Sequence, residues 1–461
     1  MTQYPPTGLP AERPEPRAVT VAVIGAGMAG LGAARELHRQ GIDVVVLESA
    51  SRPGGRVLAE TTALGSRVDL GGQWIGHGHR RFEALAAELG TTAFVMHTPR
   101  RPAIVDGDTT LARASLAATI ANATLLVWEI TARLGAPRRW KTRSVQAWLR
   151  HVPNRRARRL LEVLVSVSTT ADLDRLSIHA FLDTVRYQGG LATMLSTTGG
   201  AQESIVAEGA GTLAERLAAE LNGRVVFDST VTALHRDEAG VTIRSASGTY
   251  RATEVIVTVP PPSAAGIEHH PALPAERISL QDNTYMGSVY KAIAVYDRPF
   301  WREHGDAESM VLTEPGMAVF DTSPPRGPGH LCVLVAGPEA RDLDELDDNA
   351  RRTAVLGPIA AHLGPGILEP RGWHEKAWHR DRHAGGGYSA LPSIGHEDGY
   401  FPAGAEPVGH IHWAGTETAA EHAGYIEGAL ESGERAAREV LTALESMPPP
   451  HGAAPGAPTH S

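Results

Sequence analysis

Apolar positions divide the chain into strand-like and helix-like stretches. Val19-Thr20-Val21-Ala22-Val23-Ile24 is a short, nearly continuous apolar run ended by a glycine, which predicts a buried strand. Leu31 to Gln40 reads as a helix stopped by Gly41. Val44-Val45-Val46-Leu47 predicts a second buried strand ending on Glu48. From about Leu111 to Ala180 the reading is mostly helical. Within it, Leu116 to Leu134 is apolar enough to test as a membrane span. Asn122 and Glu129 interrupt it, and several Thr and Ala dilute it, so it is read as a core helix. Thr212 to Leu221 predicts another helix. Arg224–Phe227, Val231–Leu234, Val241–Arg244 and Val255–Val259 predict strands that rejoin the first ones, and Pro260-Pro261-Pro262 closes the block. Gly287 to Val335 is strand-rich, Asp342 to Leu363 is helical, and a last helix runs from about Gly424 to Leu444. The order predicts an α/β chain, α+β overall.

Composition narrows the class. A chain of 461 residues exceeds one ordinary core, so two or more domains are expected. The formal net charge of −9 argues against a nucleic-acid or polybasic membrane role. Cys332 is the single cysteine, which excludes an intrachain disulfide and a cysteine metal site and suits a reducing, cytoplasmic setting. Residues 1–17 are rich in Pro and charge and read as a disordered leader, not a secretory signal. Residues 446–461 read as a disordered tail, with no apolar run to serve as a membrane anchor. Lysine is nearly absent: only Lys141, Lys291 and Lys376 occur. The cluster Arg155 to Arg159 is assigned to a solvated helix face.

The candidate chemistry begins at Gly25-Ala26-Gly27-Met28-Ala29-Gly30, which joins the first strand to the first helix. Gly25 allows a tight turn, Gly27 lets backbone approach a pyrophosphate, and Gly30 lets helix and strand pack closely. The helix N-terminus offers unpaired N–H groups to that phosphate. Glu48 can accept from a ribose and would repel a 2′-phosphate. Gly54-Gly55-Arg56 is a second glycine turn with a cation to neutralise phosphate, and Gly71-Gly72-Gln73-Trp74 is a third glycine-rich turn suited to a flat cofactor. These features predict a dinucleotide site.

With Gly25 to Glu48, Gly54 to Arg56, Asp69 to Trp74, Ser196 to Glu203, Met286 to Lys291 and Ala414-Gly415-Thr416-Glu417-Thr418 through Gly428 in this order, the sequence resembles the flavin-containing amine oxidases, most of all their monoamine oxidase branch. The resemblance runs from about Val19 to Leu444. It implies FAD in a discontinuous Rossmann-like domain formed by 18–95, 205–286 and 408–445. It implies a mixed sheet-plus-helices substrate domain formed by 96–204 and 287–407. FAD would contact Gly25, Gly27, Met28, Gly30, Glu48, Arg56, Gly71, Gly72, Gln73 and Trp74, with the backbone of Val231 at the adenine. Gly415, Thr416, Glu417 and Ile426 would close over the ribityl chain and ring system, with Trp378 beneath. Gly424 and Gly428 would permit close backbone approach there, at a helix N-terminus suited to the negative charge of reduced flavin. Tyr388 and Tyr425 match the two aromatic residues that hold the amine before the flavin, and Lys291 matches the lysine that holds a water beside N5. Val167, Leu195 and Gln202 would line the substrate path.

Two departures stand out. Ala50 replaces an arginine that many relatives carry near the ribose. Gly387 stands where covalent members carry the tethering cysteine, so non-covalent FAD is expected. The implied reaction is oxidation of a small primary or secondary amine to an imine, with O2 reduced to hydrogen peroxide. The expected partners are that amine and O2, with no nucleic acid, no membrane anchor, and a homodimer as the candidate assembly. A tailoring oxidase of a larger amine, a diamine or polyamine oxidase, an inert flavin-bound module and a nicotinamide dehydrogenase are the alternatives. The arginine that L-amino-acid oxidases use for a carboxylate is absent. No metal is expected: His374-Glu375 with His379 and His383 misses the H-E-x-x-H spacing, and His77 with His79 and His269-His270 read as loop histidines.

Overall fold

The computed structural model describes residues 15–97, 102–304 and 309–447. The expected leader and tail lie almost wholly outside the described residues, although Arg17 and Ala18 already belong to the first strand, Arg17–Ile24.

Pieces of chain distant in sequence build one sheet. Arg17–Ile24 lies between Val44–Leu47 and Gly248–Val257 and runs parallel to both, with Val23 opposite Val46 and Ile256. Val225–Val226 extends one edge, and Gly240–Ser245 and Val231–Asp237 extend the other as antiparallel strands. Ile411–Trp413 returns from the far end of the chain to pair with Gly248–Val257. The central strands are buried on both faces, which is why they read as unbroken valine and isoleucine rather than alternating. Helices Met28–Arg39, Ala210–Glu220 and Ile426–Glu445 share one apolar cluster with this sheet. The first and last of these approach so closely that a Cβ at Gly433 would lie 2.3 Å from the Ala29 carbonyl oxygen.

A second sheet orders Gly372–Ala377, Val289–Tyr296, Gly329–Ala336, Met317–Asp321, Ser309–Leu312, Ala103–Asp106 and Thr109–Thr110. Its neighbours are antiparallel except Ser309–Leu312 with Ala103–Asp106. Helix Asp348–Leu363 packs on it through Val355, Leu356 and Ile359. Helices Leu116–Leu134, Arg155–Thr169 and Ile178–Tyr187 form a further cluster around Trp128, Leu161 and Phe181. Fold class is thus mixed α/β, as the pattern of periods predicts.

The helix Leu116–Leu134 corrects one expectation. It exists over the residues expected, with Ser115 accepting from the Ala118 N–H at its N-terminus. It is not a core helix, however. Ala117, Ala121, Trp128 and Ala132 face the helical cluster, while Leu116, Leu126, Val127, Ile130 and Leu134 are exposed. Neighbours among the described residues cover it on one side only, so these five apolar side chains remain outside. Among the described residues, no helix is long and apolar enough to cross a membrane.

The basic cluster is solvated only in part. Arg155 and Arg156 are exposed, but Arg156 pairs with Asp106 at 2.8 Å. Arg159 donates to the Thr313 carbonyl and pairs with Glu339 at 2.7 Å.

Candidate active site

A single cavity of about 1520 Å³ runs from the first glycine turn, along the carboxyl end of the parallel strands, to the space between the second sheet and the helices. That is larger than the roughly 300–1000 Å³ of ordinary ligand sites, which suits a long cofactor together with a substrate.

At one end, Gly25 has φ +105° and a Cβ there would meet Thr258 Oγ1 at 2.7 Å. Helix Met28–Arg39 starts on Gly27 with no side-chain cap and no acid in its first turn, so its terminus is available to an anion. A Cβ on Gly27 would project into open space, while on Gly30 it would lie 2.0 Å from the Gly25 carbonyl oxygen. Gly27 and Met28 therefore line the cavity and Gly30 does not: its part is the close packing of the turn, which corrects its assignment as a cofactor contact. The helix begins at Met28 rather than Leu31 because Gly30 falls inside its first turn.

Glu48 ends its strand buried at the cavity wall. Its carboxylate accepts from the backbone N–H of Ala26 (2.6 Å) and of Ala50 (2.8 Å). The Ser49 hydroxyl also donates to Oε1 at 3.4 Å, which leaves one lone-pair position, on Oε2, for a ribose hydroxyl.

Arg56 reaches across the cavity floor. Its guanidinium donates to Glu417 Oε1 at 2.7 Å and Oε2 at 3.2 Å, and to the Tyr388 carbonyl at 2.9 Å. Burial works to raise the Glu417 pKa, and Arg56 more than offsets it, holding the carboxyl below its ordinary range. The charge of Arg56 is therefore already balanced. Arg56 lines the cavity as expected of a cofactor contact, and through Glu417 it also ties the second glycine turn to the C-terminal motif.

Lys291 stands on the strand Val289–Tyr296, 3% exposed. Its ammonium donates to the Gly71 carbonyl at 2.8 Å and to Gln73 Oε1 at 2.6 Å. Burial pulls its pKa down, against the pull of Cys332 and Asp69. An ammonium has three donors, so one N–H remains for the cavity that Lys291 lines.

Tyr388 and Tyr425 both line the cavity. The Tyr388 hydroxyl is buried without a hydrogen-bond partner. Tyr425 directly precedes helix Ile426–Glu445, and its carbonyl accepts from Thr416 Oγ1 at 2.8 Å. Burial raises the pKa of both phenols, so both stay neutral. Trp378 donates its indole N–H to the Leu70 carbonyl at 2.7 Å and also faces the cavity. Gly71, Gly72, Gln73, Trp74, Val231, Gly415, Thr416, Glu417, Ile426, Val167, Leu195 and Gln202 line it too. Gly428 does not: a Cβ there would meet the His422 carbonyl oxygen at 2.4 Å, so its small size serves the 419–422 loop rather than a ring system.

Three residues at the site escaped the sequence reading. His79, taken for a loop histidine, is 2% exposed. Its Nδ1 accepts from the Gly76 N–H at 2.9 Å, and its ring lies 4.8 Å from His422 and 5.1 Å from Tyr425. Burial, then His422, pushes its pKa down to about 4, so it backs Tyr425 as a neutral ring. Gln188 accepts from the Tyr425 hydroxyl at 3.4 Å and donates to the Ala423 carbonyl at 3.0 Å. Thr170, at φ +63°, fills the space beside Gly387, where a Cβ would lie 2.2 Å from its Oγ1. No periodicity marks these positions, since each gains its place through a contact distant in sequence. The histidines once weighed as metal ligands have separate partners: His374 meets Glu60, His379 meets Asp344 and His383 meets Ser49.

The residues fit an extended dinucleotide with a flat ring system. The open cradle at Gly27, the uncapped helix terminus, the spare acceptor of Glu48 and the spare donor of Lys291 all face one continuous cavity.

Comparison with known proteins agrees. The family described as flavin containing amine oxidoreductase matches residues 28–441. A Mycobacterium tuberculosis protein named as a flavin-containing monoamine oxidase, AofH, is 37% identical over 93% of this chain and 98% of its own. Human amine oxidase [flavin-containing] B is 31% identical over 93% of this chain and 87% of its own. Among solved structures, cyclohexylamine oxidase from Brevibacterium oxydans superposes with a TM-score of 0.88 at 28% identity, covering 93% of this chain and 99% of that one. Putrescine oxidase bound to putrescine superposes with a TM-score of 0.84 at 25% identity, covering 93% and 100%. The chain belongs to the flavin-containing amine oxidoreductases and is a flavin-dependent amine oxidase.

Proposed function

We propose that the chain oxidises a monoamine with an alkyl or aromatic body, using FAD held without a covalent bond. The observation that carries this reading is the cavity wall. Its substrate half is lined by side chains such as Ile104, Leu125, Leu164, Val167, Leu195 and Phe320. Among the described residues the carboxylates that line the cavity are Glu48, Asp228 and Glu417, in the cofactor-domain stretches, and Asp381, in the substrate-domain stretch, which is already held by Lys376 at 2.6 Å and by the His383 and Ala384 N–H groups. Among the described residues, a diamine's second ammonium would find no carboxylate in the apolar half, and a buried unpaired charge is costly.

The amine enters past Leu195 and stands between Tyr388 and Tyr425, whose ring faces favour its nitrogen end and keep water out. His79 and Gln188 hold Tyr425 from two sides. Lys291 holds a water with its remaining N–H. FAD, held by the Gly25–Met28 turn, Glu48 and the Gly71–Trp74 turn, would supply the redox chemistry of amine oxidation, with O2 as electron acceptor and hydrogen peroxide as its product. The imine product then hydrolyses to an aldehyde. Gly387 supports the non-covalent mode, since it offers no sulfur and has no room for one.

The test is the visible spectrum of the holoenzyme mixed without O2 with alkyl and aromatic monoamines and with diamines. Bleaching by a monoamine is expected. Bleaching by diamines alone would overturn the reading in favour of a diamine oxidase.

A further inference from the structure

The outer face of helix Leu116–Leu134 carries a second feature, separate from amine oxidation. Leu116 (68% exposed), Leu126 (61%), Val127 (51%), Ile130 (48%) and Leu134 (83%) lie on it at helical spacing. Exposed Thr119 and Ala123 fill the intervals, so the stripe is unbroken over about 28 Å, at 1.5 Å per residue. Large hydrophobics exposed singly are ordinary, but a row of them along one helix is not.

Charge at both ends shows what would cover it. Exposed Arg113 precedes the helix, Arg133 lies in its last turn, and exposed Arg138 and Arg139 follow it. Across residues 111–160 there are eleven Lys or Arg and one acid, Glu129, in a chain whose net charge is −9; Lys141, Arg156 and Arg159 pair with Asp398, Asp106 and Glu339 from outside the segment, whereas Arg138 and Arg139 are exposed. Glu129 is itself engaged, accepting from the Leu191 N–H at 2.7 Å and pairing with Arg133. The basic charge is therefore local, and the overall negative sign, which argued against a membrane role, conceals it.

A second copy of the chain would bring like charges together at both ends of the stripe. A protein groove could take the leucines, but the face presented is a single convex helix with cations at its two ends. That is the form that lies in the plane of a bilayer surface, with apolar side chains below the headgroups and arginines among the phosphates.

We propose that helix Leu116–Leu134 docks the protein, peripherally and reversibly, on an anionic lipid bilayer. Neither element spans or anchors: the stripe supplies shallow insertion and the arginines supply salt-sensitive attraction.

The experiment is co-sedimentation of the full-length holoenzyme with vesicles of phosphatidylcholine alone and of phosphatidylcholine with phosphatidylglycerol. Binding to the anionic vesicles only is expected, falling at least tenfold when salt is raised from 0.05 to 0.5 M. Leu126→Glu with Ile130→Glu should abolish it, and Arg138→Glu with Arg139→Glu should weaken it about tenfold. The flavin spectrum and the unfolding temperature report whether each variant remains folded, and the arginine pair keeps the test decisive if the leucine pair does not. Absence of binding to the anionic vesicles overturns the proposal. So does equal binding to neutral vesicles. A dimer in solution that the Leu126→Glu and Ile130→Glu changes split, without vesicle binding, assigns the stripe to a second copy instead.

Discussion

Arg56 and Glu417, 361 residues apart in the chain, face each other through two hydrogen bonds of 2.7 and 3.2 Å at the floor of the cavity. The pair closes the discontinuous domain: one partner follows the second glycine turn and the other belongs to the C-terminal motif. Glu417 also accepts from the Ala390 N–H, two residues beyond Tyr388, so one carboxylate holds a cage residue's segment in place.

Glu417→Gln should therefore cost stability and flavin retention together. Removing one partner of a buried ion pair leaves the other uncompensated, at about 3–5 kcal/mol. Arg56 keeps some exposure toward the cavity, so a loss of about 2–3 kcal/mol is expected in denaturant unfolding. The pH dependence has a definite sign. The folded pKa of Glu417 is depressed, so its stabilisation is present above the unfolded value of about 4.3 and is lost as pH falls through the lower folded value. A stability profile of the wild type that is flat below pH 4.5 would contradict this account.

Tyr388→Leu and Tyr425→Leu should each lower kcat/KM by about tenfold, since a ring–amine contact is worth about 1–2 kcal/mol, while the flavin band is retained. Gln188→Leu, which removes the acceptor of the Tyr425 hydroxyl, should raise KM more than it lowers kcat. Steady-state kinetics on the best monoamine separates the two.

Lys291→Met should keep the fold and slow turnover at least tenfold. The ammonium satisfies the Gly71 carbonyl and Gln73, and its depressed pKa follows from burial. Losing those bonds leaves buried acceptors unpaired, at about 1–3 kcal/mol, so a modest fall in unfolding temperature should accompany the kinetic effect. Stopped-flow reduction and reoxidation, measured separately, show which half-reaction depends on the lysine.

Gly387→Cys should not create a flavin tether. The new Cβ would lie 2.2 Å from Thr170 Oγ1 and 2.6 Å from Thr170 Cβ, an overpacking that costs about 1–3 kcal/mol. Adding Thr170→Gly should recover most of the stability, because it removes the clashing atoms and suits the positive φ of +63° at that position. Acid precipitation of wild type should release all flavin to the supernatant; a yellow pellet would count against non-covalent binding.

Much of the fold is legible in the sequence because its signals are local. Val19 to Glu48 states strand, turn, helix, strand and acid in 30 consecutive residues, and the structure keeps that order. The valine runs mark strands buried on both faces, and Gly25, Gly54 and Gly55, at positive φ, mark turns that other residues rarely make. The motifs at Gly54, Gly71 and Gly415 also point at a flat, phosphate-bearing ligand before any fold is known.

Other features were decided only in three dimensions, for reasons that no window of sequence contains. Gly27 faces the cavity while Gly30 and Gly428 face backbone, and the difference lies in which chain passes behind each glycine. His79 looks like any histidine in a polar turn until Tyr425 and His422 arrive to bury it. Arg56 reads as a cation for a phosphate alone until Glu417 returns from the far end of the chain to pair with it. Helix Leu116–Leu134 has the composition of a core helix, but burial depends on how many neighbours surround it, and among the described residues they stand on one side. Hydrophobic pattern and turn chemistry determine which elements form; the partners brought together by long-range packing determine what each side chain then faces.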